Sequence, residues 1–259
     1  MDTILKINQV TKKFGGIVAI DDLDMEIKKG QICGLIGPNG AGKTTIMNVI
    51  TGVYQVDHGN IEFVGEDITG LPSHVICEKG IGRTFQNIRL LNSQTVFDNV
   101  RLGAHINMDI SLLDVLLNTG KNKRVAADLR TEIEEVLDFI GLLSIKDELV
   151  RNIPYGQKKV LELGRVMMAK PKLLLLDEPA AGLNNEESKR LAELIRKINE
   201  EGISMLLIEH EMDFVEGLAG KTYVVNYGKK IAEGTFAEVT SDPVVISAYL
   251  GTRREEKHA

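Results

Sequence analysis

Apolar and polar positions change period several times along the chain, and each change marks an element. Ile4, Ile7 and Val10, with Lys6 and Asn8 between them, predict a first strand, and Phe14-Gly15-Gly16 a turn. Val18-Ala19-Ile20 starts another strand. Leu23, Met25 and Ile27 then alternate with Asp24, Glu26 and Lys28, the period of a half-buried antiparallel strand. Lys29-Gly30 turns the chain into Gln31–Ile36, a short apolar run of strand length. Ile46, Met47, Val49 and Ile50 keep helical spacing until Gly52. Gly59–Gly65 reads as a strand with one exposed face, Ser73–Lys79 as a short helix after Pro72, and Ile81–Phe85 as a strand ending at Gln86.

From Gln86 the character changes. Asn87–Asn99 is polar with Leu90, Leu91, Val96 and Phe97, Ser111–Leu117 is an apolar helical patch, and Lys121–Arg130 is a basic, solvated surface or loop. Ile133, Val136, Leu137 and Ile140 have helical spacing, so residues 87–165 are expected to form a mostly helical insertion. A second helix, with Val160, Leu161, Leu163, Val166 and Met167 on its apolar side, is expected to run up to Pro171. Leu173-Leu174-Leu175-Leu176 and Ser204–Ile208 are continuous apolar runs, typical of parallel strands buried on both faces. Glu186–Glu201 is an amphipathic helix, Thr222–Asn226 and Lys229–Glu233 flank a Tyr227-Gly228 hairpin turn, and Pro243–Leu250 is a closing helix with a frayed tail from Arg253.

Candidate chemistry stands at the edges of these elements. Gly37-Pro38-Asn39-Gly40-Ala41-Gly42-Lys43-Thr44-Thr45 fits the pattern of glycine, four residues, Gly-Lys and Ser or Thr. It lies between a strand and a helix. Its glycines let backbone N–H groups turn inward around a phosphate, and the helix directs its positive dipole end at that anion. In that pattern Lys43 reaches the β- and γ-phosphates, and the Thr44 hydroxyl ligates Mg²⁺. Asp177 and Glu178 are adjacent carboxylates at the end of a buried strand, the edge where open α/β sheets bind ligands. His210 follows the next such strand, on the same edge as Lys43 and Glu178, which favours a γ-phosphate contact over a merely solvated histidine. Phe14 is either a core residue or a ring that stacks on a base; its position does not choose.

Composition adds exclusions. Of 259 residues, 31 are Lys or Arg and 37 Asp or Glu, a formal net charge of -6, which argues against a nucleic-acid partner. The basic run has no interleaved aromatics, as a single-strand binder would need. Cys33 and Cys77 have no metal-ligand spacing and suit a reducing compartment. Met1-Asp2-Thr3-Ile4 does not start a signal peptide, and no apolar run approaches the ~20 residues that span a bilayer, so a membrane link is expected to run through a partner.

The order phosphate loop, Gln86, a Pro154-Tyr155-Gly156-Gln157 signature before a helix, Asp177-Glu178 and His210 resembles the ATPase cassette of ABC transporters over nearly the whole chain. The resemblance implies an α/β fold: a P-loop NTPase (RecA-like) core with a mixed sheet, an N-terminal antiparallel β subdomain and an inserted α-helical subdomain. The core would comprise 1–86 and 166–259, and the helical signature subdomain 87–165. By this likeness Phe14 stacks on the adenine of ATP and residues 37–45 bind its phosphates. Thr44, Gln86 and Asp177 attend Mg²⁺, the last through water. Glu178 polarises the attacking water, His210 clasps the γ-phosphate, and Gln86 also reports to the transporter. Pro154–Gln157 would complete the site of a second, facing ATPase subunit in a head-to-tail dimer, and Ala181-Gly182-Leu183-Asn184 would form the turn after the catalytic strand.

Gly82-Arg83-Thr84-Phe85-Gln86, Ile208-Glu209-His210-Glu211-Met212 and Ala248-Tyr249-Leu250-Gly251 look like the longer ATPase subunit of branched-chain amino acid importers. That subfamily implies two integral-membrane permeases, an external binding protein and a peripheral place on the cytoplasmic face of the membrane. Three positions depart from common cassettes: Pro154 replaces Ser, Asn184 replaces Asp, and Asn185 replaces Pro. The competing readings are a cassette for lipid or lipopolysaccharide export and a soluble ABC-type regulatory ATPase. A P-loop kinase or GTPase would lack the Gln157 signature, and a GTPase would need a guanine-reading Asn-Lys-x-Asp, which the chain lacks.

Overall fold

The computed structural model describes residues 2–84, 86, 88–104 and 120–255. Phe85, Asn87, the apolar patch expected at 111–117 and the end of the tail at 256–259 lie outside the described residues. The chain forms two compact units, residues 1–86 with 172–259, and residues 87–171.

The first unit holds two sheets. β1 (Thr3–Phe14), β2 (Ile17–Lys28), β4 (His58–Phe63) and β5 (Glu66–Asp67) form an antiparallel sheet in the order β2-β1-β4-β5. β2 carries both Val18-Ala19-Ile20 and the alternating run from Leu23 to Ile27. Register shifts interrupt the β1–β2 ladder, and Gln9 and Asp22 sit at φ 48° and 53°. Each such bulge slips the inside–outside alternation by a residue.

The second sheet has the order β10-β9-β3-β8-β7-β6, with β3 (Ile32–Ile36), β6 (Ile81–Arg83), β7 (Leu173–Asp177), β8 (Ser204–Ile208), β9 (Lys221–Asn226) and β10 (Lys229–Gly234). β6, β7, β8, β3 and β9 run parallel, and β10 closes the edge antiparallel, giving the expected mixed sheet. Every residue of β3, β7 and β8 is buried, as their unbroken apolar runs require. One apolar cluster joins both sheets to the first helix through Leu5, Ile27, Leu35, Met47, Leu175 and Leu206. This core holds the C-terminal ends of β3, β7 and β8 side by side.

Helix α1 (Lys43–Ile50) falls where the helical spacing predicts, and α2 (Ser73–Lys79) is the short helix expected after Pro72. In the second unit, α3 (Val96–Gly103), α4 (Gly120–Phe139) and α5 (Tyr155–Met167) replace the loosely helical expectation. The basic run 121–130 is the first half of α4 rather than a loop. α5 ends at Met167, before Pro171, and the chain leaves the unit at Pro171/Lys172. A boundary at 165/166 would cut α5 inside its last turn. A Cβ on Gly103 would lie 1.9 Å from the Arg165 carbonyl oxygen, so α3 and α5 cross at backbone distance.

After β7 the first unit continues with α6 (Asn185–Glu200), α7 (Met212–Leu218), α8 (Phe236–Ser241) and α9 (Pro243–Glu255). No helix among the described residues is long and apolar enough to cross a membrane.

Candidate functional site

The glycine loop leaves β3 and enters α1 without a side-chain cap. The N-cap is Gly42 at φ 103°, and the first turn carries no acidic residue. Its backbone amides therefore remain available to an anion, which the helix dipole favours. The loop is braced against two hairpins. A Cβ on Gly42 would lie 2.5 Å from the Ala19 carbonyl oxygen of β2, and one on Gly37 would lie 2.1 Å from the Val225 carbonyl oxygen of β9. The Gly228 amide donates to the Ala41 carbonyl at 2.9 Å.

Lys43 folds back over its own loop. Its Nζ donates to the Gly37 and Pro38 carbonyls at 2.6 and 2.9 Å, and the residue is buried. Burial lowers its pKa from the ordinary lysine value, while Glu178 and then Asp177 pull it back up. The ammonium is thus poised in a desolvated position where a phosphate would be strongly attracted.

These parts border a cleft of about 360 Å³, lined by Ile17–Ala19, Asn39–Thr45, Glu178, His210, Tyr227 and Gly228. Thr44 is exposed there and Thr45 half-buried. Glu178 stands directly after β7 with φ 49°, in the left-handed region. Its Oε2 accepts a 2.7 Å hydrogen bond from Gln86 Nε2, and its Oε1 lies 2.7 Å from His210 Nε2. Three residues that are far apart in sequence are therefore one constellation at the sheet edge.

Asp177 is placed differently. Its carboxylate is buried and Oδ2 accepts from Arg83 at 2.8 Å, while the other arm of that guanidinium donates to Asn48 Oδ1 on α1 at 2.6 Å. Arg83 and Asn48 are functional candidates that sequence reasoning missed. A third is Glu209, buried after β8. Its carboxylate accepts from the Ala180 amide at 2.7 Å, the His210 amide at 2.9 Å and the Glu211 amide at 3.5 Å. Burial raises the Glu209 pKa, and the three amides oppose that rise.

Phe14 lies outside the lining of the cleft. At 40% exposure it is not a core residue, and it packs edge-on against Tyr54 with ring centroids 5.0 Å apart. Ile17 and Val18, across the same hairpin turn, are exposed apolar residues that do line the cleft; exposure of apolar side chains beside a phosphate loop is their signal. Ala181–Leu183 form the turn after Glu178, with the Ala181 amide donating to the Glu178 carbonyl at 3.2 Å. Asn184 ends it as the N-cap of α6. It accepts from the Glu187 amide while the Glu187 side chain accepts from the Asn184 amide, a capping box. Asn185 is the first helical residue of α6, the position where proline is also at home.

Pro154–Gln157 belong to the second unit. Pro154 is the N-cap of α5, one residue before the first turn, at φ -58° and ψ 157°, and Tyr155 is exposed.

Residues 20–181 match the family model described as ABC transporter, and residues 229–255 match the one described as branched-chain amino acid ATP-binding cassette transporter. The chain is 40% identical over 96% of its length, and 98% of the relative's, to the high-affinity branched-chain amino acid transport ATP-binding protein LivG of Salmonella typhimurium. It is 39% identical, with the same coverage, to the corresponding protein BraF of Pseudomonas aeruginosa. Among solved structures, it resembles a nucleotide-free ATP-binding cassette from an ABC transporter with a TM-score of 0.84 and 32% identity, covering 96% of this chain and 99% of that one. A cassette of an ABC transporter in its ADP conformation matches with a TM-score of 0.83 and 32% identity, over 97% of this chain and 100% of that one.

Proposed function

The chain belongs to the ABC transporter ATP-binding family, and from that premise we propose that it is the ATP-hydrolysing subunit of an importer for branched-chain amino acids. The observation that carries the hydrolytic part is Glu178, a carboxylate at the edge of the phosphate-loop cleft, oriented by Gln86 on one oxygen and His210 on the other. Phosphoryl transfer to water needs positioning and charge neutralisation more than covalent chemistry. Lys43 and the uncapped amides of α1 supply positive potential for the β- and γ-phosphates. Glu178 aligns and polarises the attacking water. His210, already at the Glu178 carboxylate, is within reach of the terminal phosphate side of the cleft. Phe14, exposed on the β1–β2 hairpin, offers a face for adenine.

The donors suit Mg²⁺, which is a hard cation that binds through one or two protein oxygens and substrate phosphates. Among the described residues no cluster of His, Cys, Asp and Glu forms a cage for a metal, so an ion here would arrive with the nucleotide. Thr44 and Gln86 would hold it directly and Asp177 through water. When bound, it neutralises phosphate charge.

The signature turn Pro154–Gln157, at the N-terminus of α5, would meet the ATP of a second cassette in a head-to-tail dimer. Two permeases would hold that dimer at the cytoplasmic face of the membrane, and an external binding protein would deliver the amino acid. The match at 229–255 and the names of the relatives support branched-chain amino acids as cargo.

The test is Glu178→Gln. ATP should still bind, turnover should fall by ~10² or more, and a closed dimer should accumulate with ATP. Near-normal hydrolysis would remove Glu178 from its role. Isolation from membranes together with small integral permeases, and leucine uptake that depends on Glu178, would test the transport half.

A further inference from the structure

We propose that Arg83 is a positioning residue that locks the metal-side carboxylate of Asp177 to the phosphate-loop helix, and so sets how strongly Mg²⁺ is coupled to nucleotide binding. The proposal rests on the reading of Asp177 as a group on the metal side of the nucleotide. Arg83 ends β6, three residues before Gln86. Its guanidinium divides between two elements: one arm is 2.8 Å from Asp177 Oδ2 on β7, the other 2.6 Å from Asn48 Oδ1 on α1. The ion pair is nearly dry, with side-chain exposures of 8% and 7%. Thr44 and Asn48 are four residues apart on α1, which places them on one face of the helix, a turn apart. The hydroxyl and the carboxylate expected to attend the ion are thus joined by a short rigid path, Thr44–α1–Asn48–Arg83–Asp177.

The chemistry of this path is specific. A buried carboxylate without a partner to hold it would turn away, and that would spoil it as a partner for metal-bound water. Arg83 holds it in place by fixing one oxygen, Oδ2. The planar fork is required because the two partners lie on different elements; a lysine has the charge but not the two fixed arms. Arg83 is not among the residues that line the phosphate-loop cleft, so its effect should appear only through the ion. Outer-shell partners of this kind typically change metal affinity by about 10- to 100-fold.

The experiment compares the full chain with Arg83→Gln, Asn48→Ala and Asp177→Asn. A fluorescent ATP analogue is titrated in Mg²⁺ and again in EDTA, and the ratio of the two affinities is read for each protein. Thermal unfolding is followed in parallel. The expected result is an unchanged affinity in EDTA, with the Mg²⁺-dependent gain reduced about tenfold or more in Arg83→Gln and less, in the same direction, in Asn48→Ala. Should Arg83→Gln fail to fold, Asn48→Ala, which leaves the ion pair in place and breaks only the link to α1, carries the test. A ratio that stays at the wild-type value in the folded variants, while Asp177→Asn loses it, overturns the proposal and leaves Arg83 as a stabilising ion pair. A full gain in Asp177→Asn overturns the reading of Asp177 itself, and the proposal with it.

Discussion

Glu209 makes the sharpest demand on the site. Its carboxylate ties the turn after Glu178 to the backbone at His210, so the two side chains proposed for hydrolysis share one anchor. In Glu209→Ala the Ala180 amide, fully buried, loses its acceptor, and the half-buried His210 amide loses its own. A stranded buried donor costs about 1–3 kcal/mol, and the His210 amide, partly open to water, costs less. The Glu211 amide, at 3.5 Å, adds little. The sum is a loss of about 2–4 kcal/mol. Glu209→Gln keeps one acceptor oxygen for Ala180 and should cost roughly half as much. Displacement of the Ala180 turn moves Glu178 relative to His210, so turnover should also fall by about tenfold or more in Glu209→Ala. Urea unfolding followed by far-ultraviolet circular dichroism, which suits a chain with no tryptophan, measures the first quantity. Steady-state phosphate release measures the second. A variant that loses stability but hydrolyses ATP at the wild-type rate would show that Glu209 holds the backbone together without positioning Glu178 and His210.

Other expectations follow from single features. Burial raises the folded Glu209 pKa above its ordinary 4.5, so the part of stability coupled to its protonation is present below pH 4.5 and is lost as pH rises through the folded value, while the amide hydrogen bonds remain; the slope of unfolding free energy with pH should flatten in Glu209→Gln. Gly37→Ala would put a methyl 2.1 Å from the Val225 carbonyl oxygen, a backbone atom that cannot swing away, so nucleotide affinity should drop more than about tenfold in a binding titration while the far-ultraviolet spectrum is retained. Pro154→Ser would give α5 an N-cap hydroxyl and stabilise the second unit by about 1 kcal/mol. Across a dimer interface the same hydroxyl would donate to the partner's γ-phosphate, tightening ATP-driven dimerisation without changing the monomer's ATP affinity; superimposable dimerisation curves would dismiss that contact.

The legible part of the sequence was the part whose physics is local. β3, β7 and β8 are buried on both faces and so have unbroken apolar runs, and the glycine loop is specified by adjacent residues. The order of Lys43, Gln86, Glu178 and His210 could be read as a family likeness, and the fold then brought them to one edge. What stayed hidden depends on pairing across long separations. Arg83 and Asp177 are 94 residues apart, and although Asp177 stands out at its strand end, nothing local names Arg83 as its partner. Glu209 reads as one acid among several until β8 buries it. The short helices α7 and α8 span 7 and 6 residues, too few turns for a period to register. For α8 the signal was present in another form, since Thr235 and Glu238 make a capping box that their spacing announces.

The left-handed backbone of Glu178 carries a consequence for how this protein tolerates change. A bulky residue at φ 49° is strained by about 1–3 kcal/mol, and the surrounding sheet edge holds it there. Asparagine or glycine accepts that conformation more readily. Replacement of Glu178 by either should therefore yield an inactive protein that folds at least as well as the original. Such a chain would escape the proteolysis that removes unstable variants, accumulate to full level and occupy its place in the assembly. In the proposed assembly, damage at this one position would act as a poison rather than as a simple absence.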